Sequence, residues 1–141
     1  MANKLYDKGR EAFGNAQINW ISDDIIALLI DTDNYTVDLT TDQYLFDIPV
    51  IARVAGGTLA TKVSLENCSN VSGVMSADDT TFPTVTGDIC RVIVLCKRDT
   101  GDFENSLLIA YIDDAGGFPI TPGGVDILIR WATTADKIFK L

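Results

Sequence analysis

The chain has 141 residues, about one domain at usual domain sizes, and 47% of them are hydrophobic, enough to bury a core. Lys and Arg number 11 against 20 Asp and Glu, a net charge of −9, and the 22% charged fraction is ordinary for a folded protein. These totals exclude intrinsic disorder, and they argue against a nucleic-acid binder, because an acidic surface repels phosphate and nothing gathers the basic residues into a patch.

Lys4 to Phe13 is read as a short helix, with Leu5, Gly9, Ala12 and Phe13 at helical spacing and Gly14-Asn15 as its stop. Ile18 and Trp20 follow, then the polar break Ser22-Asp23-Asp24. Ile25 to Ile30 is a continuous apolar run bounded by acids, which suits a strand covered on both faces. Asp31-Thr32-Asp33-Asn34 is a turn. Thr40 followed by Gln43 fits a capping box and predicts a second helix that ends near Asp47-Ile48-Pro49, since a residue before proline avoids the α region.

Beyond Pro49 the pattern is β. Val50–Val54, Leu59–Leu65 and Val71–Met75 are candidate strands, and Asp78-Asp79-Thr80 is a turn. Phe82 and Val85 lead to the strongest strand, Ile89 to Cys96, and Leu107 to Ile112 is another. Asp113 to Gly124 is a long turn-rich loop. Val125, Ile127, Ile129 and Trp131 alternate on one face, and Ile138, Phe139 and Leu141 form a last short pairing segment. Of the 20 acids 17 are Asp, a turn residue, and Ile, Val and Thr are abundant, which fits many short strands. The expected fold is mainly β (α+β): one domain over residues 1–141, an antiparallel β-sandwich or open barrel of about seven or eight strands with one or two short helices.

Chemical motifs are sparse. The absence of His removes the usual general base near neutral pH and the commonest metal ligand, and leaves the serines without a triad partner. Asp99-Thr100-Gly101 has the aspartic-protease tripeptide, but Arg98 and Asp102 place charges where a buried dyad wants apolar neighbours, so a hairpin tip is the better reading. Asp23-Asp24, Asp78-Asp79 and Asp113-Asp114 offer hard oxygens of the kind calcium takes, yet Asp31 and Asp33 are followed by Tyr35 where a ligand belongs, and solvated turn carboxylates are expected instead. Gly56-Gly57 and Gly116-Gly117 make neither a dinucleotide fingerprint nor a P-loop. Cys68, Cys90 and Cys96 are odd in number without metal spacing, so free buried thiols are expected; Cys90 and Cys96 would share one face of a strand. Trp20, Phe118, Trp131 and Phe139 are read as core or subunit-contact residues. The start, Met1 to Lys8, has no apolar signal core and no run approaches the roughly 18 residues of a membrane span, so folding in a reducing cytosol is expected. Catalytic, cofactor and metal residues: none are expected.

Three blocks stand out: Leu5-Tyr6-Asp7-Lys8-Gly9-Arg10-Glu11-Ala12-Phe13 with Ile18-Asn19-Trp20; Asp31 to Leu39 with Asp47-Ile48-Pro49 and Ala52-Arg53-Val54; and Leu108 to Asp113 with Pro119 to Gly124, Trp131 and Ile138-Phe139-Lys140-Leu141. Together they resemble a family of small structural proteins of tailed bacteriophages. The resemblance implies a non-enzymatic virion protein, first a decoration or cement protein on the outer face of the major capsid protein shell, homo-oligomeric and often trimeric, with no nucleic-acid or membrane partner. A tail, adaptor or baseplate component is the alternative, and a carbohydrate-binding module for host attachment a more distant one. Docking segments would be Leu5, Tyr6, Arg10, Phe13 and Trp20 near the start, and Ile138, Phe139 and Leu141 at the end. The same residues read equally well as closing the domain's own core.

Overall fold

The computed structural model describes residues 4–113, 118–131 and 137–141. Within them the chain is mainly β, with eleven strands in antiparallel sheets and one α-helix. The elements are β1 (Lys4–Leu5), α1 (Asp7–Gly14), β2 (Ile25–Ile30), β3 (Arg53–Ala55), β4 (Val63–Ser64), β5 (Ser69–Val71), β6 (Val74–Ser76), β7 (Thr80–Val85), β8 (Val92–Lys97), β9 (Leu107–Ile112), β10 (Val125–Ile129) and β11 (Phe139–Lys140). Single 3₁₀ turns cover Leu45–Asp47, Val50–Ala52 and Phe103–Asn105.

The central sheet runs β1-β9-β8-β2-β3, with β4 also on β2 beside β3. All six residues of β2 are buried, as its unbroken apolar run predicts, because a separate core packs on each face. Ile25, Ala27 and Leu29 join Ile93, Leu95, Trp20, Phe82, Trp131 and Phe139 on one side. Ile26, Leu28 and Ile30 join Val92, Val94, Cys96, Tyr6, Tyr35, Leu45 and Ile48 on the other. The first core is roofed by two small sheets, β10-β7 and β11-β6-β5. The second is roofed by the turn-rich stretch from Asp31 to Ala52.

Several expected elements differ. The helix starts at Asp7, because Lys4 and Leu5 pair with Tyr111 and Ala110 at the sheet edge. Between Leu95/Cys96 and Ala110/Leu108 the ladder slips by one residue, so β9 carries a bulge at Ile109, and α1 lies against it: the Tyr6 amide donates to the Ile109 carbonyl at 3.0 Å. No α-helix forms at Thr40–Gln43. The Asp38 carboxylate accepts the Thr40 and Thr41 amides at 3.0 and 3.1 Å, and such side-chain turns compete with a helical start. Val50–Ala52 is a 3₁₀ turn and strand begins only at Arg53; of Leu59–Leu65 only Val63–Ser64 is strand. Val71–Met75 is a hairpin, β5 to β6, turning at Ser72 and Gly73, whose φ values of 53° and 84° a tight hairpin turn requires. Val125 leaves the buried face of β10 because a register shift separates it from Ile127. Cys90 precedes β8 and lies in the first core while Cys96 lies in the second, so the two do not share a face; both are free and buried, and Cys68 is free. Asp114 and the pair Gly116-Gly117 lie outside the described residues.

Candidate functional site

The expected docking segments turn largely inward. Leu5, Tyr6, Trp20, Ile138 and Phe139 are buried in the chain's own cores. The Phe139 ring sits edge-on to Trp20 at 5.3 Å and to Phe13 at 6.2 Å, so the last segment closes the core against α1. Trp20 Nε1 donates to the Ser76 carbonyl at 3.0 Å, and Trp131 Nε1 to that of Asp78 at 3.0 Å, so both indoles anchor the roof. Arg10 is exposed and pairs with Asp7 on its own helix. Phe13, Trp20 and Leu141 do meet, with Ile21 and Met75, at a shallow cleft of about 350 Å³. Trp20 and Met75 are buried, which leaves mainly Ile21 and Leu141 on offer there.

A different surface stands out. Phe46, Val50 and Ile51 are 73%, 68% and 70% exposed, three large apolar side chains within six residues. The local chemistry explains why they face out. A 3₁₀ turn repeats every three residues, so Leu45 and Ile48 fall on one face, both fully buried, and Phe46 on the other. Ile48 is extended, as a residue before proline must be, and Pro49 opens the next turn with Ala52 inward and Val50 and Ile51 outward. The Asp47 carboxylate holds the first turn by accepting the Gln43 and Tyr44 amides at 2.8 and 3.0 Å.

Arg53 holds both turns: its backbone amide donates to the Val50 carbonyl of the second, and its side chain, only 3% exposed, reaches the first. Its Nη2 donates to the carbonyls of Leu45 (2.9 Å) and Ile48 (2.8 Å), Nε donates to Ile48 (3.1 Å), and Nη1 donates to Gly57 (3.2 Å). The same guanidinium grips Glu104 with two bonds of 2.8 Å, and that pairing holds the Glu104 carboxyl below the usual carboxylate range. A planar fork with five donors fits this task; an ammonium could not make it. Burying one such apolar side chain contributes about 1.5–3 kcal/mol, so a fold that leaves three in water on a braced frame forgoes several kcal/mol within itself. Val50 also lines the rim of a cleft of about 390 Å³ walled by Val54, Val63, Phe82 and Val85.

The surroundings are acidic. From Glu11 to Ala52 there are eight acids and no Lys or Arg, and the cation that follows, Arg53, is spent internally. Lys97, opposite Leu107, and Arg91, whose amide reaches the Ile30 carbonyl, lie at the margins of this stretch. No protein-family model matches the chain, and no curated protein matches it.

The remaining candidates serve the fold. The Asp99 carboxylate accepts the Gly101 and Asp102 amides at 2.8 and 3.0 Å between β8 and β9, as a hairpin tip does, and those bonds hold it below its ordinary pKa. Asp31 accepts the Asp33 amide and the Asn34 side chain, and so caps its own turn. Asp24 joins Lys62 and Arg98 across β2 at 3.3 and 3.5 Å. Among the described residues no group of three or more Cys, Asp or Glu side chains is arranged to hold a metal ion, and no helix is long and apolar enough to cross a membrane. Sequence reasoning missed Phe46, Val50 and Ile51, because apolar residues flanking a proline resemble core; the only available signal was the three-residue spacing of Leu45 and Ile48.

Proposed function

We propose that this chain is a non-enzymatic structural protein of a tailed-phage virion, and that it decorates the outer face of the major capsid protein shell. The observation that carries the proposal is the braced pair of apolar turns: the Arg53 guanidinium ties the Leu45 and Ile48 carbonyls to Glu104, beneath a surface whose exposed side chains, Phe46, Val50 and Ile51, do nothing for the domain's own core. A protein that acts by contact needs such a rigid apolar display, because rigidity lowers the entropy cost of binding. The resemblance of the three sequence blocks to phage structural proteins supports the same reading. Net negative charge suits the outside of a DNA-filled shell, since an inner position would face phosphate. Many copies at symmetry-related sites would turn modest contacts into a strong sum.

Quantitative gels of purified virions test this. Hundreds of copies per particle are expected, and particles lacking the protein should release DNA at lower temperature. One to a few dozen copies would place it in the tail or an adaptor ring. Recovery as a free catalyst absent from finished particles would overturn the structural reading altogether.

A further inference from the structure

We infer that Phe46, Val50 and Ile51 are the docking knob of this protein, and that its receptor is an apolar pocket rimmed by Lys or Arg on a different protein. The inference rests on the virion reading only for the choice of partner particle. Three observations argue for it. The side chains project from turns held by Asp47 and Arg53, so the knob is preorganised. Its own segment carries Asp38, Asp42 and Asp47 and no cation, and the adjoining turn adds Asp102. Glu104 beside it is already neutralised by Arg53, so the uncompensated charge of the knob's own segment is negative, with Arg91 and Lys97 at its margins.

That charge selects among occupants. A second copy of a chain with net charge −9 would set acid against acid around the contact, which like-charge repulsion disfavours. A basic rim would attract the knob, speed encounter and fix register, while the apolar centre supplies the affinity. Asp47, in the knob's own first turn, is exposed, so its share of the binding is sensitive to salt.

The test is co-sedimentation of the purified protein with capsid shells of the encoding phage assembled without it, at low and high sodium chloride. Wild type should bind, more weakly as salt rises. Phe46→Asp, and separately Val50→Ser with Ile51→Ser, should each weaken binding about 30-fold or more. Unchanged melting temperature and circular dichroism would show the variants folded, as expected for side chains this exposed. Ile21→Asp, in the cleft beside Leu141, should bind like wild type. If wild type binds shells and the knob variants bind equally, or if Ile21→Asp alone loses binding, the inference falls and the virion reading stands. Binding that strengthens with salt would refute the basic rim. A wild-type oligomer dissolved by the knob variants would make the receptor a second copy and overturn the inference. If wild type ignores shells but binds purified tails, the decoration reading falls, and loss of tail binding by the same variants would still support the knob.

Discussion

Gly9 offers a sharp test of how α1 is seated. It lies inside the helix, where alanine is normally better by about 0.8–1 kcal/mol. Here a Cβ would stand 2.7 Å from the Leu108 carbonyl oxygen, 3.0 Å from that of Ile109 and 3.1 Å from the Ile109 Cα, all backbone of the bulged strand. Ordinary contact begins near 3.4 Å, so α1 must withdraw by roughly 0.7 Å. That stretches the bond from the Tyr6 amide to Ile109 and loosens Tyr6 and Ala12, both buried. Overpacking of this kind costs about 1–3 kcal/mol, which exceeds the propensity gain. Gly9→Ala should therefore destabilise by about 1–2 kcal/mol, or lower the melting temperature by roughly 3–8 °C for a chain of this size. Urea unfolding followed by the fluorescence of the two buried tryptophans measures it. Gly14→Ala is the control: the helix continues to Gly14 and its Cβ would meet nothing within 4 Å, so it should stabilise by up to about 1 kcal/mol. A Gly9→Ala protein as stable as wild type, or more so, would refute the close seating of helix on bulge.

Arg53→Met should cost about 2–3 kcal/mol in the same assay, because the Leu45 and Ile48 carbonyls lose their donor while Glu104, 40% exposed, regains water; Arg53→Lys should recover only part, since it keeps the charge and loses the fork. Tyr35→Phe should cost about 1–3 kcal/mol by removing the hydroxyl that donates to Asp42 at 2.6 Å and lies 2.9 Å from the Tyr6 hydroxyl. Stability should be flat from about pH 5 to 8, where no side chain of ordinary pKa titrates in a chain without His. Below about pH 4 it should fall, because Asp24, Asp38, Asp99 and Glu104 are held below their ordinary values in the folded chain and must take up protons. Above about pH 9 it should fall again: burial pushes Cys90 up to about 11 and raises Cys96, Tyr6 and Tyr35 further, so the unfolded chain loses protons first. Melting temperatures across pH 2–11 check both limbs; a rise on either side would contradict the placement of these groups.

Strong local signals were legible from the residues alone. β2 and β9 appear with the bounds their apolar runs predict, Asn15 caps α1, and the Asp99 turn joins β8 to β9. Elements decided by distant partners were not. Nothing near Lys4 tells that it pairs with Tyr111, and nothing near Arg53 tells that Glu104 completes its clamp 51 residues later. The Thr40 pattern failed for a local reason: Asp38 and Asp42 offered the backbone better partners than a helix would. The β5–β6 turn does carry a local signal, since Ser72-Gly73 between apolar residues is a hairpin pattern that outweighs the strand propensity of Val71 to Met75. The apolar knob was illegible because hydrophobicity does not encode direction; only the turn geometry around Pro49 shows which side chains face out.

The central position of β2 has a consequence for how the protein is made. Ile25–Ile30 combines high strand propensity, six apolar residues and no charge, the profile of a segment that stacks into cross-β aggregates. β3 and β4 cover parts of one edge of β2, but β8, its partner along the whole length, begins at Val92, some sixty residues later, an interval of roughly 3–12 s at ordinary elongation rates of 5–20 residues per second. Asp23, Asp24 and Asp31 bracket the run and act as gatekeepers through that interval. The acids that later settle into turns and an ion-pair cluster thus first keep ribosome-borne neighbours apart, a duty that grows with the number of chains a cell produces at once.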